Sequence, residues 1–147
     1  MLGQFSEEFW ISVALIGGTV FFHAVIISSA AAVFRASKRR VWGPARFVRD
    51  ALMMTVLGIV LMAAHVIEMA AWALTFMAIG IYDTFEPAFY FSAVSYTTLG
   101  FGDVLLPLEW RLLAGAVAAD GLLLFGLSAA FLVETAAKLR LGGDNNH

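Results

Sequence analysis

The stretch SYTTLGFGDV, residues 95–104, sets the problem that the fold of this chain must solve. It places two threonines, two glycines one residue apart and an aspartate between long apolar runs. In hydrocarbon, loosely structured backbone is tolerated only where protein buries it or water reaches it, because lipid offers no hydrogen-bond partner. The surrounding sequence therefore has to show whether this stretch lies at membrane depth.

The composition is that of a membrane protein. Of the 147 residues, 61% are hydrophobic, and the mean hydropathy is +0.86. An ordinary soluble domain of this size carries far more polar surface. The chain has no cysteine, which excludes a disulfide framework and a thiolate metal site, and its net charge of −2 does not indicate a nucleic-acid partner.

Three segments are long enough to cross a bilayer, which takes about 20 apolar residues. They run roughly from Phe9 to Phe34, from Ala51 to Ile81 and from Trp110 to Ala137. The first is too long and lacks the basic start of a cleaved signal peptide, so it is interpreted as a retained helix. The predicted fold class is an all-α membrane protein with three transmembrane helices.

The basic residues predict the orientation. Six of the nine lysines and arginines lie between the first and second spans, two more follow the third, and the N-terminal tail MLGQFSEE has none. The positive-inside rule places the basic segment and the C-terminus in the cytoplasm and the N-terminus outside. Three crossings satisfy both ends, so residues 82–109 are expected to face outside.

Within that outer segment, Glu86 and Pro87 mark a helix start, and an apolar run follows to about Thr97. Ten such residues make about 15 Å of helix, enough to enter the membrane halfway but not to cross it. Gly100 and Gly102 then alternate with ordinary residues. Because glycine tolerates positive φ, this alternation can turn successive carbonyls to one side, where a ring of them can replace the water shell of a cation.

The residues TTLGFGD, 97–103, resemble the selectivity-filter signature of the potassium channel superfamily, here of a small prokaryotic type with an additional N-terminal transmembrane helix. The resemblance covers about residues 85–137 and, more weakly, the second span. It implies a re-entrant pore helix and a filter loop between the second and third spans. The implied segments are an extra N-terminal helix at 1–34, a basic cytoplasmic interfacial loop at 35–50, a pore domain at 51–137 and a short cytoplasmic tail at 138–147. Within the pore domain the resemblance implies an outer helix at 51–81, a pore helix at 86–97, a filter at 98–103 and an inner helix at 109–137.

The resemblance also implies roles for individual residues. The ion-binding residues would be Thr98, Leu99, Gly100, Phe101 and Gly102. Asp103 would support the filter from behind, together with Tyr90 and Thr97. Val94 stands where some members carry a buried glutamate, and Phe101 lacks the hydroxyl of the tyrosine found in many filters.

The third span resembles the inner helix of the same family. Gly121 is a hinge candidate and Gly126 a second one, although small residues at either place also suit close packing. By the same alignment Leu122, Phe125, Ala129 and Val133 would line the passage, and apolar rings there can gate by dewetting. Since each chain supplies one filter strand, the implied assembly is a homotetramer.

Ionisable residues lie near the middle of all three spans: His23, His65, Glu68 and Asp120. Because such groups are costly in the bilayer core, some of the four are expected to meet, with His65 as the favoured partner of Asp120 and Glu68 as the next. One interpretation is a proton-sensitive latch beside the hinge, and the favoured one is a satisfied hydrogen-bond network. No metal other than K⁺ at the filter carbonyls is expected. Glu134, near the end of the third span, is expected to pair with Lys138.

The predicted function is a potassium-selective channel. The alternatives are a less selective cation channel and a non-conducting channel-like sensor or assembly partner. No constellation of nucleophile and base occurs, so no enzyme is predicted, and no cofactor is expected besides K⁺ as the permeant ion.

The expected location is the plasma (inner) membrane. The basic segment, with Trp42 and Phe47, is expected to meet anionic inner-leaflet lipids. No nucleic-acid partner is predicted, and the sequence does not indicate a protein partner.

Overall fold

The computed structural model describes residues 2–36 and 44–144 and is all-helical, with no strand in those ranges. The helices are α1 (Leu2–Ala36), α2 (Pro44–Ala78), α3 (Phe85–Tyr96) and α4 (Arg111–Asp144), with a 3₁₀ turn at Leu108–Trp110 before α4. Helices α1, α2 and α4 are long and apolar enough to cross a membrane, whereas α3 has only 12 residues. The predicted fold class is confirmed: the chain is a multi-pass, all-α membrane protein of pore-loop architecture.

Two helices extend beyond the expected bounds. Helix α2 begins at Pro44, inside the segment expected to be a loop, and α4 continues to Asp144, into the expected tail. Proline suits the first helical position because its fixed φ is already helical and its missing N–H would have no partner there. Good helix formers are present in both extensions, for example Ala45 and Arg46 in α2 and Lys138 and Leu139 in α4, so leaving the membrane does not end the helix. Trp42 lies outside the described residues.

The short helix α3 lies between the two flanking spans, as a re-entrant helix must. The main core joins Trp72 and Phe76 of α2, Phe91 of α3, and Leu113 and Val117 of α4. These positions lie near the end of α2 and the start of α4, the two ends that the pore segment connects. Helix α3 therefore enters on that side and stops partway along its neighbours.

Helix α1 packs on the outside of this unit, mainly against α4 and also against α2. A second apolar cluster joins Leu57 and Leu61 of α2 to Phe131 of α4, with Ile27 of α1 packed on it. Many large apolar side chains on the spans, such as Phe21 and Ile59, are exposed in the single chain. On a membrane protein that surface is where lipid or a second subunit is found.

Candidate functional site

The backbone of residues 98–102 alternates in handedness. Thr98, Gly100 and Gly102 have φ of 60°, 58° and 77°, while Leu99 and Phe101 between them keep negative φ. Alternation at every second residue turns successive carbonyl groups toward one side of the chain. The glycines were predicted to behave in this way. The positive φ of Thr98 was not, since a β-branched residue rarely adopts it.

The end of α3 holds the first half of this ribbon. The Val94 carbonyl accepts the N–H groups of Leu99 and Gly100 at 3.0 and 3.2 Å, and the Ser95 carbonyl accepts the N–H of Thr98 at 2.9 Å. One carbonyl at the helix end thus satisfies two donors that would otherwise be unpaired at membrane depth. The Thr97 hydroxyl donates to the Ala93 carbonyl at 2.7 Å, so its hydrogen bond stays within the pore helix.

A side-chain hydrogen bond links the far end of the ribbon to α3. The Tyr90 hydroxyl donates to Oδ2 of Asp103 at 2.6 Å, which is the contact expected from the sequence. This bond lowers the pKa of Asp103, because it stabilises the ionised carboxylate, and raises the pKa of Tyr90. Both ends of the ribbon are therefore attached to the short helix.

The side chains of the ribbon are uncovered in one chain. Leu99 is 60% and Phe101 65% exposed, although both are large and apolar. Large exposed apolar side chains commonly mark a surface that a partner or lipid covers, so this face of the ribbon is a candidate contact surface.

Gly121 of α4 lies directly against the end of α3. A Cβ atom at this position would overlap the carbonyl oxygen of Tyr96, whereas a Cβ at Gly126 would meet nothing within 4 Å. Close packing thus accounts for glycine at 121, and α4 continues through both positions without a break.

The ring of Phe125 was expected to face the passage, but it packs inward. Its centroid lies 4.2 Å from that of the His65 ring and 5.5 Å from that of the Tyr96 ring.

Three of the four ionisable residues of the spans meet in one buried cluster behind the ribbon. Nδ1 of His23 lies 2.8 Å from Oε1 of Glu68, and Nδ1 of His65 lies 3.1 Å from Oε2. Nε2 of both histidines lies near Oγ of Ser128, at 2.9 and 3.1 Å. Tyr96, two residues before Thr98, donates its hydroxyl proton to Oε2 of Glu68 at 2.6 Å. The cluster therefore connects α1, α2 and α4 to the last residue of α3, two positions before the ribbon begins.

The expected pairing of Asp120 with His65 is wrong. Oδ2 of Asp120 accepts the Trp72 indole N–H at 2.9 Å, and the Thr19 hydroxyl lies 2.9 Å from both of its carboxylate oxygens. Asp120 is separated from Thr19 by 101 residues, and no pattern in the sequence indicates that contact. Because α1 packs on α4, it brings Thr19 to Asp120 and His23 to Ser128, and Glu68 becomes the shared partner of the two histidines.

At the opposite end of the spans the charged residues pair locally. Lys138 donates to Glu134 at 2.6 Å, which confirms the expected i,i+4 pair. Arg46 at the start of α2 donates to the carbonyl of Leu139 at 2.8 Å, so the extended ends of α2 and α4 contact one another. The Phe47 side chain beside Arg46 is 79% exposed.

A comparison with protein families adds an independent finding. A family model described as "Ion channel" matches residues 55–138, which is more than half of the chain and spans most of α2, all of α3 and most of α4. Comparisons with curated proteins and with solved structures gave no match.

Proposed function

Because the chain belongs to this ion channel family, we propose that it forms a potassium-selective channel whose filter is the ribbon of residues 98–102. The observation that carries the proposal is the alternation of φ at Thr98, Gly100 and Gly102. In the proposed filter the carbonyls of Thr98, Leu99, Gly100 and Phe101 form stacked rings of ligands, with the Thr98 hydroxyl as the innermost ring. Gly102 shapes the outer mouth.

Selectivity in this proposal comes from oxygen dipoles at fixed positions. A K⁺ ion that enters the filter loses its water, and rings of carbonyl oxygens replace it. The anchors at Val94 and at the Tyr90–Asp103 pair support the proposal, since they hold both ends of the ribbon. K⁺ is then the permeant ligand, and conduction needs no cofactor.

Four chains around one axis complete the proposed pore. One ribbon offers carbonyls from one direction only, and a ring of ligands needs identical ribbons related by rotation. The exposed Leu99 and Phe101 support this assembly, because neighbouring subunits would cover them. On α4, the exposed side chains of Leu122 and Val133 remain candidates for the lining of the inner passage, and Gly126 for a hinge.

The proposed orientation has the N-terminus outside and the C-terminus in the cytoplasm of a cell with a plasma (inner) membrane. The ends of α2 and α4 then lie at the cytoplasmic surface, where Arg46, Arg49 and the exposed Phe47 would meet anionic lipid headgroups. The positive-inside rule supports this orientation.

A matched pair of glycine variants tests the filter. Gly100→Ala should abolish K⁺ flux from liposomes, because alanine is strained at the φ of 58° that the proposed filter requires. Gly58→Ala is the control: Gly58 lies within α2, its Cβ would meet nothing within 4 Å, and flux should be unchanged. Undiminished flux in Gly100→Ala protein would remove the filter from this ribbon.

A further inference from the structure

We propose that His23, His65 and Glu68 form a buried binding site for one divalent transition-metal ion, with Zn²⁺ as the best chemical match. Their ligand atoms lie within 4.8 Å of one another, and all three residues are at most 2% exposed. Two imidazoles and a carboxylate make up a familiar zinc ligand set. From the sequence no such site was expected, because only the packing of α1 brings His23 to the other two.

The orientation of the two rings favours a metal. Each histidine directs Nδ1 to the carboxylate of Glu68 and Nε2 to the hydroxyl of Ser128. A metal-bound histidine normally donates its other ring N–H to a nearby oxygen, which fixes its tautomer. The Ser128 oxygen has two lone pairs and can accept from both rings, while Tyr96 donates to the carboxylate. The groups around the proposed ligands thus match an outer shell.

Nδ1 of His65 has a second neighbour besides Glu68, because the Tyr96 hydroxyl lies 2.9 Å from it. That hydroxyl can donate either to the histidine or to Glu68. A metal bound at Nδ1 of His65 would leave the carboxylate as its acceptor.

A divalent ion at this site would also offset a buried negative charge. The carboxylate of Glu68 is 1% exposed and belongs to the second span. A carboxylate in the bilayer core is costly without a compensating partner, so a cation bound to it is favoured there.

The site would fasten the additional helix to the pore unit. His23 lies on α1, outside residues 55–138 that match the family model, whereas His65 and Glu68 lie inside them. Tyr96, two residues before Thr98, donates to the Glu68 ligand. A metal held here links α1 to the base of the ribbon. The site does not depend on which ion the ribbon selects.

Metal content per chain tests the site directly. Full-length protein purified in detergent without a histidine tag is treated with a chelator, reloaded with Zn²⁺ and desalted before elemental analysis. The control is His147→Gln, which removes the third histidine of the chain, outside the described residues. Wild type and the control should carry about one zinc per chain, and His23→Gln and His65→Gln less than about one tenth of that, since each loses a direct ligand. Wild-type protein without zinc above background, or equal zinc in the His23 and His65 variants, would overturn the proposal.

A second measurement does not require those variants to fold. In His147→Gln protein, His23 and His65 are the only histidines. X-ray absorption of its zinc-loaded form should show two imidazoles and oxygen ligands at about 2.0–2.2 Å. A zinc shell without imidazole would contradict the proposal as firmly as the absence of zinc.

Discussion

At the scale of single residues, Thr98 is the most informative position in the chain. A φ of 60° costs a non-glycine residue on the order of 1–3 kcal/mol, and it persists only where the surroundings enforce it. Here the N–H groups of Thr98, Leu99 and Gly100 are all bound to carbonyls at the end of α3. The unfavourable φ of Thr98 thus occurs in a backbone segment that hydrogen bonds hold in place. This is expected where the direction of the carbonyl groups matters for the proposed filter.

The Tyr90–Asp103 hydrogen bond predicts a dependence on the pH of the solution that reaches Asp103. The bond lowers the pKa of Asp103, so its stabilising effect is present above that pKa and is lost as the pH falls through it. In Tyr90→Phe protein the pKa of Asp103 should return toward its usual value of about 3.9. The midpoint of acid inhibition of the current should then shift to higher pH. The measurement is current against pH, varied on each side of the bilayer in turn, in both proteins.

The control for this prediction is Tyr82→Phe. The Tyr82 hydroxyl points to the carbonyl of Leu105 at 3.5 Å and makes no contact with Asp103. Its removal should leave the midpoint where it is in the wild type. Equal midpoints in the Tyr90 and Tyr82 variants would show that Asp103 does not govern the response to acid.

At the scale of helices, hydropathy predicted the three spans, because crossing a bilayer requires long apolar runs whatever their packing. The pore helix was also predicted within a residue at each end, from its acidic and proline start and its short length.

The contacts of α1 were not predictable. They depend on which side of α1 faces α4, and an apolar helix carries no periodic pattern to specify that rotation. For this reason His23 was not assigned to Glu68, nor Thr19 to Asp120.

The contact between α4 and α3 predicts different outcomes for two glycines of one helix. Gly121→Ala should destabilise the protein by about 1–3 kcal/mol, because its Cβ overlaps the Tyr96 carbonyl and the helices must move apart. Gly126→Ala should have little effect on stability, since its Cβ has open space within the chain. Thermal unfolding in detergent compares the two variants. If Gly121→Ala unfolds at the wild-type temperature, packing is not the reason for glycine at 121.

At the scale of the whole molecule, the single chain leaves a large apolar surface uncovered. Its ribbon exposes Leu99 and Phe101, and its spans expose apolar side chains along their length. The family match covers α3 and most of α2 and α4, which together hold the ribbon, while α1 and its histidine add a buried cluster beneath it. The channel family follows from the match, whereas the potassium filter is our proposal, supported by the alternating φ of residues 98–102.

The reversal potential of the purified protein tests the central claim most directly. With K⁺ on one side of a planar bilayer and an equal concentration of Na⁺ on the other, the current should reverse at least about 59 mV from zero, in the direction set by K⁺. That value corresponds to a tenfold permeability ratio for a univalent ion. A reversal near zero would show a pore that does not distinguish the two ions. Either that result or the absence of current would contradict a carbonyl filter at residues 98–102.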